Sequence, residues 1–127
     1  MLIDEIRQQS NKIYNSVIDN RRYLHAHPEL SYQEYETSAF VKARLNELRI
    51  PCETMSDTGV VATITGEQLS DRVVALRADM DALPITETNV VSYSSQNDGV
   101  MHACGHDAHT SSLIGTATIL QSIRHKF

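Results

Sequence analysis

The 127-residue chain lacks the features that mark membrane, secreted or nucleic-acid-binding proteins. No apolar run approaches the roughly 18 residues that a membrane span needs, and the opening stretch MLIDEIRQQS has no apolar signal core. Two cysteines, Cys52 and Cys104, are too few for a disulfide framework. The formal net charge of -5 leaves no basic stripe to follow phosphates. We therefore expect a cytoplasmic protein with no nucleic-acid or membrane partner.

The residues that are present predict one globular domain with several helices. The composition, 41% hydrophobic and 21% charged, is ordinary for such a domain, and the length allows a core without disulfides. Apolar residues recur at helical spacing from about Leu2 to Leu24 and again from Thr37 to Leu48. Ser31 and Glu34 have the spacing of a capping box for the second helix. A third helix is predicted from about Ala108 to Phe127, where it meets no stop signal, as expected of a fragment.

The middle of the chain contains the strand candidates. A short strand is predicted for CETM at 52–55 and a half-buried one for VVATITG at 60–66. The segment VVALRA at 73–78 is nearly all apolar, which is typical of a central strand buried on both faces. Residues 85–100 are polar and predict a long loop, and long loops are often functional. The order helix, helix, strands, helix predicts an α/β fold with a mixed sheet flanked by helices.

The best metal-binding side chains are concentrated in MHACGHDAH, which begins at Met101. Three of the chain's six histidines and one of its two cysteines lie there: His102, Cys104, His106 and His109. A thiolate and an imidazole two residues apart can face one point, and both are good zinc ligands. Cys104 and His106 are therefore candidate ligands, with Gly105 between them allowing an unusual backbone shape.

Other residues of this stretch have two open interpretations. His102 and His109 suit metal ligation and hydrogen-bonding support equally, and a lone His near Cys usually has no function at all. Asp107 is placed to cap the following helix. Because structural zinc needs about four ligands, Cys104 and His106 do not close a site, and its partners must come from elsewhere.

The segment RADMDALP is the obvious second contributor. Asp79 and Asp81 follow an apolar strand candidate, and residues two apart on an extended chain point the same way. Carboxylates there can bind a metal or hydrogen-bond a ligating histidine, although a solvated strand end is the plain alternative. His25 and His27, in HAHPEL, have either a direct site role or a capping and packing role. Cys52 is expected to be a buried thiol.

Three segments in this order carry a family resemblance: LHAHPELSYQEYETSAFV, VVALRADMDALPITE and GVMHACGHDAHTSSLIG. Together they resemble the M20 family of metal-dependent amidohydrolases and peptidases, in the branch of hippurate hydrolases and N-acyl-amino-acid amidohydrolases. The resemblance implies a zinc-peptidase-like α/β catalytic domain in which Cys104 and His106 are metal ligands. It also implies that Asp81 is the catalytic aspartate that supports the metal centre. Asp79 stands where wider relatives carry a ligating histidine, so its role stays open.

The activity implied by this resemblance is hydrolysis of the amide bond of N-acyl amino acids or related N-acyl amines. It implies two divalent ions per complete site (zinc, manganese, nickel or cobalt), a small-molecule substrate and a homo-oligomeric full-length protein. Family members are longer and carry a Glu-Glu pair, further histidine ligands and a lid and dimerisation domain. No glutamate follows Glu87 here. We therefore expect residues 1–127 to be the N-terminal portion of the catalytic domain and to be inactive alone. The alternative is a non-catalytic metal-binding or interaction module derived from this fold.

Overall fold

The computed structural model describes residues 1–127 and is built mainly from three helices. These are α1 (Leu2–Ala26), α2 (Tyr35–Glu47) and α3 (His106–Ser122). Asp4 and Glu5 lie in the first turn of α1, where carboxylates favour the positive end of the helix dipole. The helix ends at Ala26 because Pro28 disfavours helical backbone at His27, whose φ and ψ are -122° and 57°. All three helices lie where the spacing of apolar residues predicts them.

The start of α2 differs from the prediction. The capping box of Ser31 and Glu34 is wrong, because Glu34 occupies the N-cap position without a side-chain capping bond. Its carboxylate instead accepts a hydrogen bond from Thr58 Oγ1 at 2.8 Å. Glu29 caps the helix from outside, accepting the backbone N–H of Thr37 at 2.6 Å. Glu29, which lies before the turn, therefore accepts the hydrogen bond at the start of α2 that the sequence pattern assigned to Ser31.

The chain forms one small antiparallel sheet. Strand β1 (Cys52–Met55) pairs with β2 (Gly59–Ala62), so that Cys52 lies opposite Ala62. Strand β1 coincides with the predicted strand at 52–55, whereas β2 overlaps the predicted 60–66 only at its start, since it begins at Gly59 and ends at Ala62. Ser56 and Asp57, in the connecting turn, have positive φ angles of 51° and 66°. Cys52 is half-buried rather than buried, with Sγ 3.9 Å from Asn46 Oδ1.

The prediction of a buried central strand at VVALRA is wrong in this structure. Val73 and Val74 are 92% and 83% exposed, and no residue of 73–78 belongs to a strand. A central strand needs a hydrogen-bonding neighbour on each side. The β1–β2 hairpin is the only sheet, so this segment has no such neighbour. Its apolar side chains therefore remain exposed.

The core lies between α2, the hairpin and α3. Its fully buried members form one cluster: Val41, Leu45, Ile50 and Ile114. Helix α3 also approaches α1 closely, since a Cβ on Gly115 would lie 2.8 Å from Val17 Cγ2. The last residues depart from the predicted continuous helix, because α3 ends at Ser122 and a 3-10 helix covers Arg124–Lys126. None of these helices combines the length and the apolar character needed to cross a membrane.

Candidate metal centre

A short backbone bridge brings the two predicted site segments together. Leu83 N–H donates to Met101 O at 2.9 Å, and Met101 N–H donates to Leu83 O at 3.0 Å. Leu83 lies two residues after Asp81, and Met101 opens the histidine-rich stretch. The convergence of DMDALP with MHACGH, expected from the sequence, is therefore present in the fold.

His106 and Asp81 form the central contact of this site. His106 Nδ1 lies 2.9 Å from Asp81 Oδ1 and 3.0 Å from the Asp81 carbonyl oxygen, so this nitrogen carries the proton and donates. The neutral ring then has a free lone pair on Nε2. That atom lies 4.0 Å from Asp79 Oδ2, too far for a hydrogen bond. A carboxylate on one imidazole nitrogen commonly orients the other nitrogen toward a metal.

Asp79 is held at the edge of the same site. Its carboxylate pairs with Arg77, and its backbone carbonyl accepts a hydrogen bond from Thr110 Oγ1 at 2.9 Å. Thr110 lies in the second turn of α3, so this bond joins the end of the VVALRA segment to the helix that begins with His106. Both aspartates of DMDALP therefore face the start of α3, as their spacing predicts.

The loop before α3 presents Cys104 to solvent. Cys104 is exposed on a turn, and Gly105 follows in the left-handed region with φ 81° and ψ 16°. The sequence-based expectation of an unusual backbone shape at Gly105 is confirmed. His109 lies beside the site, with its ring centroid 5.8 Å from that of His106. Joint ligation of one ion by Cys104 and His106 stays a prediction.

Asp107 does not cap α3, contrary to the prediction. The helix start has Gly105 as its N-cap and no side-chain capping bond. The Asp107 side chain turns inward, is 1% exposed, and accepts from His25 Nδ1 at 2.7 Å and from Arg21 Nε at 2.9 Å. Because the Asp107 side chain is buried, it pairs with Arg21 and His25, which an aspartate capping the helix from the solvent side would not reach.

His25 has a second acidic partner in the long loop. Its Nε2 lies 2.9 Å from Glu87 Oε1, and the Ser95 N–H donates to Glu87 Oε2 at 2.6 Å. Bonds from His25 first, and then from the Ser95 backbone, lower the pKa of Glu87 from 4.5 to about 2 against the opposing effect of burial. Sequence reasoning missed Glu87 and Arg21. The one available signal was Arg21 four residues before His25, on one face of α1.

His27 has the capping and packing role that was one of its two interpretations. Its Nδ1 lies 2.7 Å from the Tyr23 carbonyl oxygen, near the end of α1. Its ring stacks on Tyr23 with centroids 4.4 Å apart. His25 and His27 therefore differ sharply, since His25 alone reaches the residues around the start of α3.

His102 supplies the observation that tests whether a ligand fits here. The side chain is buried, yet neither ring nitrogen has a hydrogen-bond partner. Burial lowers the pKa of His102, with the charge of Asp107 opposing the shift. Buried polar groups are nearly always partnered. An unpartnered imidazole, an exposed thiol and the open His106 Nε2 are each donors of a kind that suits a borderline divalent ion, but they do not surround one point in this chain.

The chain does not complete such a site alone. No group of three or more His, Cys, Asp or Glu side chains is arranged to hold a metal ion. A catalytic zinc ion usually takes about three protein ligands and a water. A complete centre would therefore need donors in addition to these.

Comparison with known proteins shows which family the chain resembles. Residues 75–127 match the model of peptidase family M20/M25/M40. An N-acyl-L-amino acid amidohydrolase of Geobacillus stearothermophilus is 48% identical over 125 residues, covering 98% of this chain and 34% of the relative. The resemblance to the M20 family is confirmed. The chain spans about a third of the length of this relative.

Solved structures confirm the α/β fold class. The Bacillus subtilis YXEP protein, described as a dinuclear metal-binding peptidase of the M20 family, matches with a TM-score of 0.87 and 45% identity. That match covers 91% of this chain and 33% of the other. A structure from methicillin-resistant Staphylococcus aureus matches all of this chain and 34% of its own, with a TM-score of 0.92 and 40% identity. The helices and small antiparallel sheet thus match part of a structure described as an M20 peptidase.

Proposed function

We propose that this chain supplies the N-terminal part of a metal-dependent amidohydrolase site that acts on N-acyl amino acids or related N-acyl amines. The observation that carries the proposal is His106, whose Nδ1 is held by Asp81 at 2.9 Å while its Nε2 is left open. Cys104 lies two residues away and is exposed. The substrate class is supported by the relative named as an N-acyl-L-amino acid amidohydrolase.

Each residue of the site has a distinct proposed role. Cys104 and His106 would hold the ion, and Asp81 fixes the tautomer and direction of His106. When bound, a divalent ion in such a site polarises the scissile carbonyl and activates water. We propose two ions per complete site, drawn from zinc, manganese, nickel or cobalt, and a homo-oligomeric cytoplasmic enzyme.

The general base of this reaction is not proposed among residues 1–127. Glu87, the last glutamate of the sequence, is unsuited to that role because both of its carboxylate oxygens are engaged, one by His25 and one by the Ser95 N–H. Its pKa of about 2 is also far below the range that suits proton transfer near neutral pH. We therefore propose that a residue outside this segment takes the proton from water and passes it to the leaving amine.

A hybrid enzyme tests the proposal. Residues 1–127 would replace the matching third of the Geobacillus amidohydrolase, and metal-dependent release of free amino acid would be measured on N-acetyl and N-benzoyl amino acids. We expect hydrolysis that a chelator abolishes and added metal restores. The matched control is the same hybrid with Cys104→Ala and His106→Ala. A hybrid with native circular dichroism and oligomeric state that cleaves no member of the panel would overturn the proposal and favour a non-catalytic module.

A further inference from the structure

A buried charged cluster lies directly behind the proposed metal centre and contributes no ligand to it. Its four members are an arginine, a histidine and two carboxylates: Arg21, His25, Glu87 and Asp107. The two carboxylate side chains are only 4% and 1% exposed, for Glu87 and Asp107 respectively. Buried carboxylates require paired cations and hydrogen bonds, so this cluster is strongly interdependent.

His25 is the connecting member of the cluster. Its Nδ1 lies 2.7 Å from Asp107 Oδ2 and its Nε2 lies 2.9 Å from Glu87 Oε1. With both carboxylates ionised, only an imidazolium can donate to each of them. Arg21 Nη2 lies 3.4 Å from His25 Nδ1, and a protonated Nδ1 cannot accept from it. Arg21 and His25 therefore both donate to the same oxygen of Asp107, Oδ2.

The three segments joined by His25 meet at the start of α3. His25 belongs to the last turns of α1, Glu87 to the long loop, and Asp107 immediately follows the candidate ligand His106. The N-cap residue is Gly105, which has no side chain to cap the helix. The first turn of α3 is held instead by side chains from other segments, by His25 and Arg21 through Asp107 and by Asp81 through His106.

We propose that His25 is a positioning residue for the metal centre, acting through Asp107 on the backbone that carries Cys104 and His106. The proposal rests on the proposed function, because it assumes that these two residues are ligands. His25 itself touches neither of them. The contact of its Nδ1 with Asp107 Oδ2 at 2.7 Å fixes Asp107, and Asp107 fixes the helix start from which His106 projects. Loss of the His25 side chain therefore loosens the ligand geometry without removing a ligand.

The test compares two variants of the 127-residue chain in a Cys52→Ser background, which leaves Cys104 as the sole thiol. His25→Gln replaces the imidazole with an amide, which can keep only one of the two hydrogen bonds to Asp107 and Glu87. Thr58→Val is the matched control, since it also removes a hydrogen bond to a buried carboxylate, that of Glu34 at 2.8 Å, in a different part of the fold. Urea unfolding measures how much each variant destabilises the chain.

Two readouts separate positioning from general stability. Cadmium affinity would be measured at pH 7 from thiolate-to-cadmium absorbance, and amide hydrogen exchange would be followed over residues 105–111. For His25→Gln we expect cadmium affinity to fall about tenfold or more, the range of losses around metal ligands, with faster exchange in this turn. Thr58→Val should change neither. Equal behaviour of the two variants in both readouts would overturn the proposal.

The two proposals fail in different ways. If the background chain develops no thiolate-to-cadmium absorbance at saturating cadmium, Cys104 does not bind the ion in the isolated chain, and metal content of the hybrid enzyme with and without Cys104→Ala decides the ligand assignment. The exchange comparison would still decide whether His25 holds the start of α3. If cadmium binds through Cys104 but His25→Gln leaves both affinity and exchange unchanged, only the positioning role is overturned.

Discussion

Two histidine–aspartate pairs lie close together in this molecule and differ in how many of the histidine's ring nitrogens are engaged. In the first, His25 is buried and both of its ring nitrogens face carboxylates, those of Asp107 and Glu87. In the second, His106 is 17% exposed, and only its Nδ1 is engaged, by Asp81. The first pair is closed, and the second keeps one nitrogen open.

The difference shows how one residue type can be fitted for stability at one position and, as proposed for His106, for ligand binding at another. A carboxylate on each nitrogen of His25 joins three segments of the chain. A single carboxylate on His106 selects the neutral tautomer and leaves a lone pair for a metal. Substitutions in the closed pair should therefore act on stability and, through the start of α3, on metal binding, whereas substitutions in the open pair should act mainly on metal binding.

The largest expected effect is the loss of metal from the open pair's ligands. In the hybrid enzyme, Cys104→Ala or His106→Ala should reduce bound metal more than Asp81→Ala does. Asp81 acts through His106, and such supporting residues typically change affinity or activity about 10–100-fold. Elemental analysis after gel filtration measures the metal content. Unchanged metal content in both ligand variants would show that the open nitrogen is not used for a metal.

The closed pair should dominate stability. Asp107→Ala leaves the buried His25 and the half-buried Arg21 without their shared partner, and breaking a buried pair this way costs about 3–5 kcal/mol. Asp81→Ala removes a partner from a more exposed pair and should cost about 1 kcal/mol or less. Urea unfolding of the two variants measures both. Equal losses would remove the distinction between a closed and an open pair.

The open pair was accessible from the sequence, and the closed pair was not. Cys104, His106 and Asp81 lie in two short segments whose spacing and residue types point to one site. The contact between His25 and Asp107 joins residues 82 positions apart. No local pattern encodes that contact, so the position of Asp107 just before a helical run favoured a cap. In the fold, burial of its side chain favours the cationic partner instead.

The elements of the fold also differ in how well the sequence predicts them. Helices α1, α2 and α3 and the β1–β2 hairpin depend on contacts near in sequence, and apolar spacing predicts them well. A central strand depends on neighbours that can lie anywhere in the chain. The apolar run beginning at Val73 therefore predicts a strand that residues 1–127 do not pair.

Acidic pH should weaken the closed pair through Glu87. Because the folded state lowers the pKa of Glu87 from 4.5 to about 2, its ionised form favours folding. That contribution is complete above about pH 4.5 and is lost as the pH falls toward 2. Glu87→Gln should therefore flatten the decline of the urea midpoint between pH 5 and pH 2. Glu53→Gln, at an exposed position on β1, is the control and should leave the decline unchanged. A Glu87→Gln chain with an undiminished decline would contradict the pairing with His25.

The smallest expected effect concerns Gly105, which separates the two candidate ligands of the open pair. Its φ of 81° is left-handed, and a Cβ there would meet nothing within 4 Å. Gly105→Ala therefore costs only backbone strain, about 1–2 kcal/mol. Gly99 is a matched control, because it has a φ of 77° and equally open surroundings but lies in the long loop. Both variants should lose similar stability in urea. Only Gly105→Ala should also weaken cadmium binding, since relief of its strain reorients Cys104 relative to His106. Equal cadmium affinity in the two variants would show that the turn at Gly105 does not set the ligand geometry.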